Sequence, residues 1–263
     1  MKATAKAHPI QGLVKYHGLR DPELRIPYHD SISVCTAPSH TRTTVEFGYD
    51  EDTCVVDGET LEADALERVV RVLDRVRALS DVDSGARVES TNSFESNVGL
   101  GASASAFAAL AYAATEAADL DLSRRDVSAI ARRGASSAAR SVTGGYSYLH
   151  VSDRDEDCVS ERLDDGFDDV RVVVALVPAY KHTGRAHEEA AESHLFGSRL
   201  AYVHGALAEA RRAIHDGDFD ATYWLAERDS LSLLATTMTG PEAWVYWRPE
   251  TLRVLEKARA LRD

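Results

Sequence analysis

The stretch best suited to chemistry is a glycine-rich loop that leads into a predicted helix of small residues. It reads N-S-F-E-S-N-V-G-L-G-A-S from Asn92 to Ser103, and small residues continue to Leu110. Gly99 and Gly101 allow backbone angles that other residues avoid. A helix N-terminus carries free N–H groups and the positive end of the helix dipole, so small residues there let a phosphate approach the backbone. The pattern therefore predicts a phosphate-binding loop.

A structural interpretation of the same loop is about equally good on composition alone. An alanine-rich helix that packs against a sheet also uses glycines for close approach. The sequence matches neither G-x-x-x-x-G-K-[ST] nor G-x-G-x-x-G, so neither common nucleotide motif identifies the loop.

Acidic residues outnumber basic ones along the whole chain. Asp and Glu total 43 and Lys and Arg total 30, which gives a formal net charge of −13, and only five of the cations are lysine. Because the acids are spread out, they indicate a solvated surface and not a disordered tail. A salt-rich cytosol would screen their repulsion, so we expect a halophile. The lack of basic patches argues against general binding of nucleic acid.

The composition is typical of a soluble globular protein of the cytosol. Apolar residues make up 44% of the chain, as in soluble globular proteins. The length of 263 residues suffices for one large domain or two ordinary ones. No apolar run approaches the roughly 20 residues that span a bilayer, and no signal-peptide pattern precedes Pro9. Cys35, Cys54 and Cys158 are widely spaced and odd in number, which fits neither a disulfide framework nor a metal cluster.

Hydrophobic patterns divide the first part of the chain into short strands and three helices. Strands are predicted within residues 2–16 and at 31–37, 41–47, 53–56, 86–90 and 146–151. Helices are predicted at 61–79, 102–110 and 124–139. The last of these has Ser123 as its N-cap and Asp126 near the capping-box position. A β-rich start followed by helices indicates a mixed α and β fold.

The acidic stretch 153–169 contains a strand edge and is the predicted domain boundary. Residues 170–178 predict a buried strand, and helices are predicted at 187–214, at 220–234 and from Pro249 to Leu261. One strand and three helices leave the apolar face of that strand without neighbours. We therefore expect the chain as given to be incomplete.

Several motifs together resemble the mevalonate-pathway decarboxylases of the galactokinase, homoserine kinase, mevalonate kinase and phosphomevalonate kinase (GHMP) superfamily. They are K-Y-x-G at 15–18 with R-D at 20–21, S-I-S-V at 31–34, R-T-T at 42–44, the glycine loop at 99–110, I-A-R-R-G at 130–134 through R-S at 140–141, G-G-Y at 144–146 and D-S at 229–230. Each motif is weak alone, but the ordered set covers nearly the whole chain. The acidic composition resembles in particular the haloarchaeal branch, whose members look like phosphomevalonate decarboxylases.

That resemblance implies an α+β fold of the GHMP-kinase type with two domains. An N-terminal α/β, ATP-binding domain at 1–168 would precede an incomplete ferredoxin-like α+β domain at 169–263, with the active site between them. The implied cofactors are ATP and Mg²⁺, and homodimers are frequent in the family. In the implied reaction ATP phosphorylates the tertiary alcohol of a phosphorylated 3-hydroxy acid, the phosphate leaves, and carbon dioxide is lost to form an alkene.

The resemblance also implies a role for each residue of the site. Arg140 would hold the substrate carboxylate through a two-pronged guanidinium contact; its alternative role is to cap a helix or pair with a surface acid. Ser137 would donate to a substrate phosphate, or else bond back to its own helical turn.

The remaining implied contacts divide between nucleotide and substrate. The ATP phosphates would lie on Asn92, Gly99, Leu100, Gly101, Ala102 and Ser103, with Ser103 also assigned to Mg²⁺. Lys15, Tyr16, Lys181 and Thr183 would line the substrate site together with Ser137 and Arg140.

Three departures from the family pattern favour a substrate with one phosphate. Leu19 stands where the family has a lysine in K-Y-W-G-K-R, Ala135 and Ser136 replace the first serine and glycine of G-S-G-S-A-C-R-S, and residues 181–183 replace a serine-rich loop. Because unpaired buried donors are costly, their loss suits a smaller phosphate group. We therefore expect 5-phosphomevalonate as the substrate and isopentenyl phosphate as the product, with Lys181 as a candidate replacement cation.

The family's catalytic aspartate lies beyond the helix that begins here near Pro249, and the given chain ends at Asp263. That aspartate would act as a base or orient the 3-hydroxyl. Asp229 matches a different motif, so we do not assign it this role. We expect the chain as given to lack the catalytic aspartate and to be inactive by itself.

Alternative functions remain at this point. The chain could be a diphosphomevalonate decarboxylase that makes isopentenyl diphosphate, or a small-molecule kinase of the superfamily that stops after phosphoryl transfer. A non-catalytic binding or scaffold protein would not bind ATP. The histidines, including His8, His17, His182 and His187, lack the i, i+4 pairing of a zinc site. We expect them to be solvated or hydrogen-bonded.

Overall fold

Two principal β-sheets, a short hairpin and their covering helices make up the described chain. The computed structural model describes residues 1–96, 98–167, 169–177, 187 and 189–262. Its strands are β1 (Lys2–Ala7), β2 (Ile10–Val14), β3 (Leu19–Asp21), β4 (Ile26–Pro27), β5 (Ser31–Cys35), β6 (Thr41–Tyr49), β7 (Thr53–Val56), β8 (Glu59–Thr60), β9 (Gly85–Asn92), β10 (Tyr146–Leu149) and β11 (Ser160–Arg162). Its helices are α1 (Ala63–Arg77), α2 (Ala102–Ala117), α3 (Arg124–Arg132), α4 (Ala138–Thr143), α5 (Phe196–His215), α6 (Phe219–Met238) and α7 (Pro249–Arg262).

The first sheet has the strand order β1-β6-β9-β7-β8. Its pairs β1–β6 and β6–β9 are antiparallel, whereas β7 and β9 are parallel. Side chains alternate between the two faces of a strand, so Val45 and Phe47 of β6 join Ala86 and Val88 of β9 in one core. Helices α1 and α2 cover this face, and the predicted strands of the region are confirmed with small shifts at their ends.

The second sheet has the order β11-β10-β5-β2 and joins the two halves of the sequence. All four residues of β10 are buried, as are the first four of β5, so both faces of the sheet are covered. Helix α4 contacts β10 and β11, while α5 and α6 contact β2. Apolar residues from both halves, such as Ile32 and Leu207, belong to one core.

One predicted helix is broken in the structure. The prediction of a continuous helix at 124–139 is wrong, because α3 ends at Arg132 and α4 begins at Ala138. The predicted capping box at Ser123 and Asp126 is present. The break has a packing cause: a Cβ atom on Gly134 would lie 2.1 Å from the Phe107 ring. Only a glycine fits beside that ring. The loop at 133–137 then turns towards the site residues described below.

The predicted buried strand at 170–178 is also wrong over its described part. Residues 170–177 form no strand, and Val173 is 95% exposed. No strand in the described chain pairs with this segment, and an isolated strand has no hydrogen-bond partners to hold it. Pro178 lies outside the described residues. Within the described part of the chain, the elements after β11 are helical, so the ferredoxin-like second domain and its boundary stay predictions.

The helices of the second half differ from prediction mainly at their starts. The helix predicted at 187–214 begins at Phe196 and follows a 3-10 turn at Ala190–Glu192. Helix α7 has no buried residue and is held to α6 by ion pairs of Arg259 and Arg262 with Glu227. None of the helices in the described ranges is both long and apolar enough to cross a lipid bilayer.

A buried ion pair fixes the end of β2 against α5 and α6. The side chains of Arg199 and Asp229 are each 1% exposed, and Arg199 Nη2 lies 3.1 Å from Asp229 Oδ1. The Lys15 N–H donates to Asp229 Oδ2 at 2.8 Å, and Arg199 Nη2 donates to the Lys15 carbonyl at 2.6 Å. Burial raises the pKa of Asp229, against the opposing effect of Arg199. Because these contacts occupy its carboxylate, Asp229 has a structural role.

Replacing Asp229 by alanine should destabilise the protein by about 3–5 kcal/mol, because Arg199 would remain as a buried charge without its partner. At about 2–4 °C per kcal/mol, Tm should fall by roughly 6–20 °C. The matched control is the double variant Arg199→Met with Asp229→Leu, which removes both charges and should recover most of the loss. Thermal unfolding in high salt measures the Tm of both variants. An Asp229→Ala protein with the same Tm as the wild type would contradict this account.

Candidate active site

The glycine loop has the geometry that its sequence predicts. Gly99 and Gly101 have φ angles of 85° and 83°, in the left-handed region that favours glycine. Gly101 is the N-cap of α2, and a Cβ atom there would lie 2.6 Å from the carbonyl oxygen of Ile10. No side chain caps the helix and no acidic residue lies in its first turn. The N-terminus of α2 therefore offers free N–H groups to an anion.

Ser103 lies exposed in the first turn of α2, and its hydroxyl donates to no residue in the described ranges. Asn92 differs from this pattern. Its backbone N–H and its Nδ2 each donate to an Asp57 carboxylate oxygen at 2.8 Å, and its Oδ1 accepts from Thr41 at 2.6 Å. Asn92, the last residue of β9, thus holds the turn at Asp57 in place. Its assignment to ATP stays a prediction.

Arg140 lies on α4 and is 2% exposed. Its Nε and Nη1 atoms are buried and find no hydrogen-bond partner in the described part of the chain. Burial lowers its pKa to about 10, with Tyr16 opposing the shift, so the guanidinium stays charged at neutral pH. A buried charge without partners is unfavourable unless a ligand supplies them. Arg140 therefore marks a binding site for an anion.

Two arginines that precede Arg140 in the sequence show the ordinary arrangement of buried cations. Arg132, which is fully buried, and Arg133 both pair with the carboxylate of Asp155. Arg132 also donates to the backbone carbonyls of Leu24 and Cys158. The structure thus separates paired, structural arginines from Arg140, a distinction that the motif alone does not give.

Tyr16 lies close to Arg140 and also to a histidine that sequence reasoning did not assign to the site. The Arg140 guanidinium is 5.4 Å from the centre of the Tyr16 ring, within cation–π range. His187 stacks on Tyr16 with ring centres 5.1 Å apart, and its Nδ1 accepts the Gly18 N–H at 3.2 Å. Tyr16 follows β2, whose first residue, Ile10, contacts Gly101, so one strand connects the glycine loop to Arg140.

Ser137 is the N-cap of α4, and its hydroxyl makes no cap hydrogen bond and no other bond to a described residue. The structural alternative, a serine that bonds to its own turn, is therefore not observed. The neighbouring Ser136 is used differently, because its hydroxyl donates to the Arg25 carbonyl at 2.6 Å. Ala135 is buried and Leu19 half-buried, and neither side chain offers a donor.

The other predicted substrate residues contribute less to the described geometry. Lys15 is exposed and its backbone is fixed by Asp229 and Arg199. Lys181 and Thr183 lie outside the described residues, as does His182. The described residues contain no group of three or more His, Cys, Asp or Glu side chains that could hold a metal ion.

Sequence reasoning gave no role to Arg25 or to Arg68, a half-buried arginine whose pKa is lowered by burial and by the charge of Arg25 and raised by Tyr16. Arg68 interrupts the apolar stripe of α1, three residues after Ala65 and four before Val72. A cation on the buried face of a helix was the available signal. Arg25 has a φ angle of 57° in the turn between β3 and β4, which no sequence pattern indicated.

The arrangement can bind two anionic groups at separate positions. The N-terminus of α2 suits a phosphate chain, while Arg140, Tyr16 and Ser137 surround a second position that suits a carboxylate. A site of this kind can bring a phosphoryl donor to a small acid.

Comparisons with known proteins identify the family of the chain. Residues 7–160 match the family of the diphosphomevalonate decarboxylase-like N-terminal domain. The phosphomevalonate decarboxylase of Haloferax volcanii is 60% identical over the whole of this chain and 82% of its own length.

Solved structures give the same relationship. A structure of the mevalonate diphosphate decarboxylase from Enterococcus faecalis has a TM-score of 0.87 at 29% identity, covering all of this chain and 82% of that one. A structure of MDDEF in complex with MVAPP, AMPPCP and magnesium has a TM-score of 0.87 at 29% identity, covering all of this chain and 83% of that one.

The matched domain spans more than half of the chain, and the Haloferax relative aligns with all of it. The protein therefore belongs to the diphosphomevalonate decarboxylase family and has the fold of the GHMP kinase superfamily.

Proposed function

We propose that this protein catalyses the ATP-dependent decarboxylation of (R)-5-phosphomevalonate. The products are isopentenyl phosphate, ADP, phosphate and carbon dioxide, and the reaction belongs to isoprenoid synthesis by the mevalonate pathway. Membership of the family and 60% identity to a phosphomevalonate decarboxylase support the reaction class.

The observation that carries the proposal is the buried Arg140 guanidinium with two unpartnered nitrogens. A carboxylate can accept two hydrogen bonds from one edge of the guanidinium, either Nε with Nη2 or Nη1 with Nη2, and would thereby give one of the two unpartnered nitrogens an acceptor. A kinase that stops after phosphoryl transfer has no need to hold a carboxylate through the reaction. Arg140 therefore favours a decarboxylase over a simple kinase.

The residues of the site would act by binding and orientation. Arg140 holds the carboxylate, Tyr16 and Ser137 lie beside the substrate, and the N-terminus of α2 holds the phosphates of ATP. Transfer of the γ-phosphoryl group to the 3-hydroxyl makes that oxygen a leaving group. When phosphate departs, the electrons of the bond to the carboxyl carbon form the double bond and carbon dioxide is released.

The residues at the N-terminus of α2 fit ATP with Mg²⁺. The left-handed Gly99 and Gly101 and the exposed Ser103 leave room for phosphates against the backbone. Bound Mg²⁺ would neutralise charge on the phosphates, with the Ser103 hydroxyl as its candidate ligand. A similar solved structure, that of MDDEF in complex with MVAPP, AMPPCP and magnesium, supports the binding of ATP and Mg²⁺.

Leu19 and Ala135 support a substrate with one terminal phosphate, because neither side chain can donate a hydrogen bond to a second one. Diphosphomevalonate is the alternative substrate. The proposal has three further parts: a cytoplasmic location, a lyase activity in a halophilic archaeon and a homodimeric assembly. The acidic composition supports the halophilic origin.

The proposed activity is tested with the complete gene product in high salt, supplied with ATP, Mg²⁺ and 5-phosphomevalonate. ADP and carbon dioxide should appear in equal amounts, and kcat/KM should exceed that for 5-diphosphomevalonate by at least about tenfold. ADP without carbon dioxide would identify a kinase. A clear preference for the diphosphate would show that Leu19 and Ala135 have been misinterpreted.

Replacing Arg140 by methionine should lower kcat/KM by at least about 100-fold, because a charge-assisted contact to the substrate is lost. Without ligand, the variant should melt no lower than the wild type, since a buried charge without partners is removed. The matched control is Arg132→Met, which breaks a buried ion pair and should lower stability by about 3–5 kcal/mol. Equal destabilisation by the two substitutions, or retained activity of Arg140→Met, would contradict the assignment.

A further inference from the structure

The two ends of the glycine loop are joined by a single side chain, that of Thr41. Thr41 is the first residue of β6 and is fully buried. Its hydroxyl oxygen lies 2.6 Å from Oδ1 of Asn92, where β9 ends, and 2.6 Å from Oγ of Ser105, one turn into α2. The Thr41 side chain therefore fixes the spacing between the strand that enters the loop and the helix that leaves it.

The chemistry of the groups decides which way each hydrogen bond points. The Asp57 carboxylate accepts hydrogen bonds, so the Asn92 amide turns its Nδ2 group to Asp57, at 2.8 Å. The Asn92 Oδ1 atom then accepts the proton of Thr41. Because Thr41 has no second proton, the buried hydroxyl of Ser105 donates to it. Ser105, Thr41, Asn92 and Asp57 thus form one directional network, called here the Thr41 network.

Asp57 gives the Thr41 network a rigid end. It forms the two-residue turn between β7 and β8 with Gly58, and the φ angles of 51° and 89° are the left-handed pair that such a hairpin turn requires. The Asp57 N–H donates to the Ser90 carbonyl of β9 at 2.9 Å, and the Asp57 carboxylate also accepts the Asn92 N–H at 2.8 Å. Backbone and side chain therefore hold the end of β9 together.

Further contacts hold the start of the loop and leave its tip open. The Ser93 N–H donates to the His40 carbonyl at 2.9 Å, and the His40 N–H donates to Ser93 Oγ at 2.8 Å. Gly99 and Ser103 are exposed. Fixed ends with exposed groups between them suit a preformed binding loop, because a loop that its ligand must order binds that ligand less tightly.

A second hydroxyl pair on the same two strands shows a contact without this connection. Thr43 lies two residues after Thr41 on β6, and its hydroxyl oxygen is 2.9 Å from that of Ser90 on β9. Both residues are buried, and their contact joins two strands only. Thr41 differs because one of its two partners belongs to the helical turn that offers free N–H groups to an anion.

We propose that Thr41 is a positioning residue for ATP, which with Asn92 and Asp57 holds the first turn of α2 at a fixed distance from the end of β9. The loop is then preformed for the phosphates of the nucleotide. Thr41 does not touch the nucleotide in this arrangement and acts through Ser105 and the loop backbone. This inference rests on the proposed function, in which the loop binds ATP, and it gives Asn92 a positioning role.

Binding of the ATP analogue AMPPCP tests the Thr41 network separately from turnover. Calorimetric titration uses AMPPCP with Mg²⁺ in the presence of saturating 5-phosphomevalonate. Thr41→Val keeps the shape of the side chain and removes its hydroxyl, so the Kd for AMPPCP should rise about tenfold. Thr41→Ser restores the hydroxyl and should bring that Kd to within about twofold of the wild type. The Kd of Thr41→Val for 5-phosphomevalonate without nucleotide should also stay within about twofold of the wild type.

The matched control is Thr43→Val, which removes a buried hydroxyl contact from the same strand. Thr41→Val and Thr43→Val should lower Tm by similar amounts of about 2–12 °C, because both leave buried polar groups unpaired. Thr43→Val should keep the Kd for AMPPCP within about twofold of the wild type. Equal loss of AMPPCP affinity in the two variants would reduce Thr41 to a general stabilising residue and overturn the inference. Unchanged affinity in Thr41→Val would overturn it as well.

Asp57→Gly tests the exposed end of the Thr41 network and does not depend on a change in the core. Glycine suits the left-handed backbone of the turn, so the fold is kept while both carboxylate bonds to Asn92 are lost. The Kd for AMPPCP should rise about three- to tenfold. An Asp57→Gly protein that binds AMPPCP as tightly as the wild type would contradict the proposed role of the Thr41 network.

The outcomes separate the Thr41 network from the reaction. A wild type whose AMPPCP binding depends on the Thr41 hydroxyl, but which releases no carbon dioxide, upholds the network and refutes the proposed function. A wild type that releases carbon dioxide, while Thr41→Val binds AMPPCP normally, refutes the network and upholds the reaction. A wild type that does not bind AMPPCP refutes both.

Discussion

The site depends on Arg140, a cation that is buried and that no acidic residue of the described chain pairs with. Two nitrogens of Arg140 have no acceptor in the described structure, although the chain carries 43 acidic residues. An intramolecular carboxylate at this position would stabilise the protein and block the site. The cost of the unpaired guanidinium is offset elsewhere in the fold and is recovered when a substrate carboxylate binds.

The surrounding scaffold keeps Arg140 in place without pairing it. The Tyr16 ring lies 5.4 Å from the Arg140 guanidinium, and His187 stacks on that ring. The backbone before Tyr16 is fixed by the buried pair of Arg199 and Asp229, which belong to α5 and α6. Residues from both halves of the sequence therefore determine where one side chain of the site lies. This coupling explains why the second sheet shares its core with the helices that follow it.

The local features of the fold could be predicted from the sequence because they depend on neighbouring residues. The strands at 41–47 and 53–56, the helix at 61–79 and the Ser123 capping box follow from alternation, helical periodicity and capping chemistry. The break after Arg132 could not be predicted, because it depends on Gly134 meeting the Phe107 ring across the tertiary structure. The apolar run at 170–177 predicted a strand, but a strand needs pairing partners, and the described chain provides none.

The same limit applies to the site. The glycine loop and the Arg140 region could be located from motifs, and the unpaired state of Arg140 became evident only from its burial and contacts. Arg132, Arg133 and Arg140 look alike in the sequence, yet two of them pair with Asp155 and one does not. His187 reaches Tyr16 from a distant part of the chain, so no local pattern connects the two residues. What a side chain does at this site therefore depends more on its contacts in the folded protein than on the motif that contains it.

The most direct test of the account is a crystal structure of the protein with 5-phosphomevalonate bound and no nucleotide. The account predicts that the substrate carboxylate lies about 2.7–2.9 Å from Arg140 Nε and from one of its terminal nitrogens. A bound substrate that leaves Arg140 without a partner, or that places its phosphate on Arg140, would contradict the central claim.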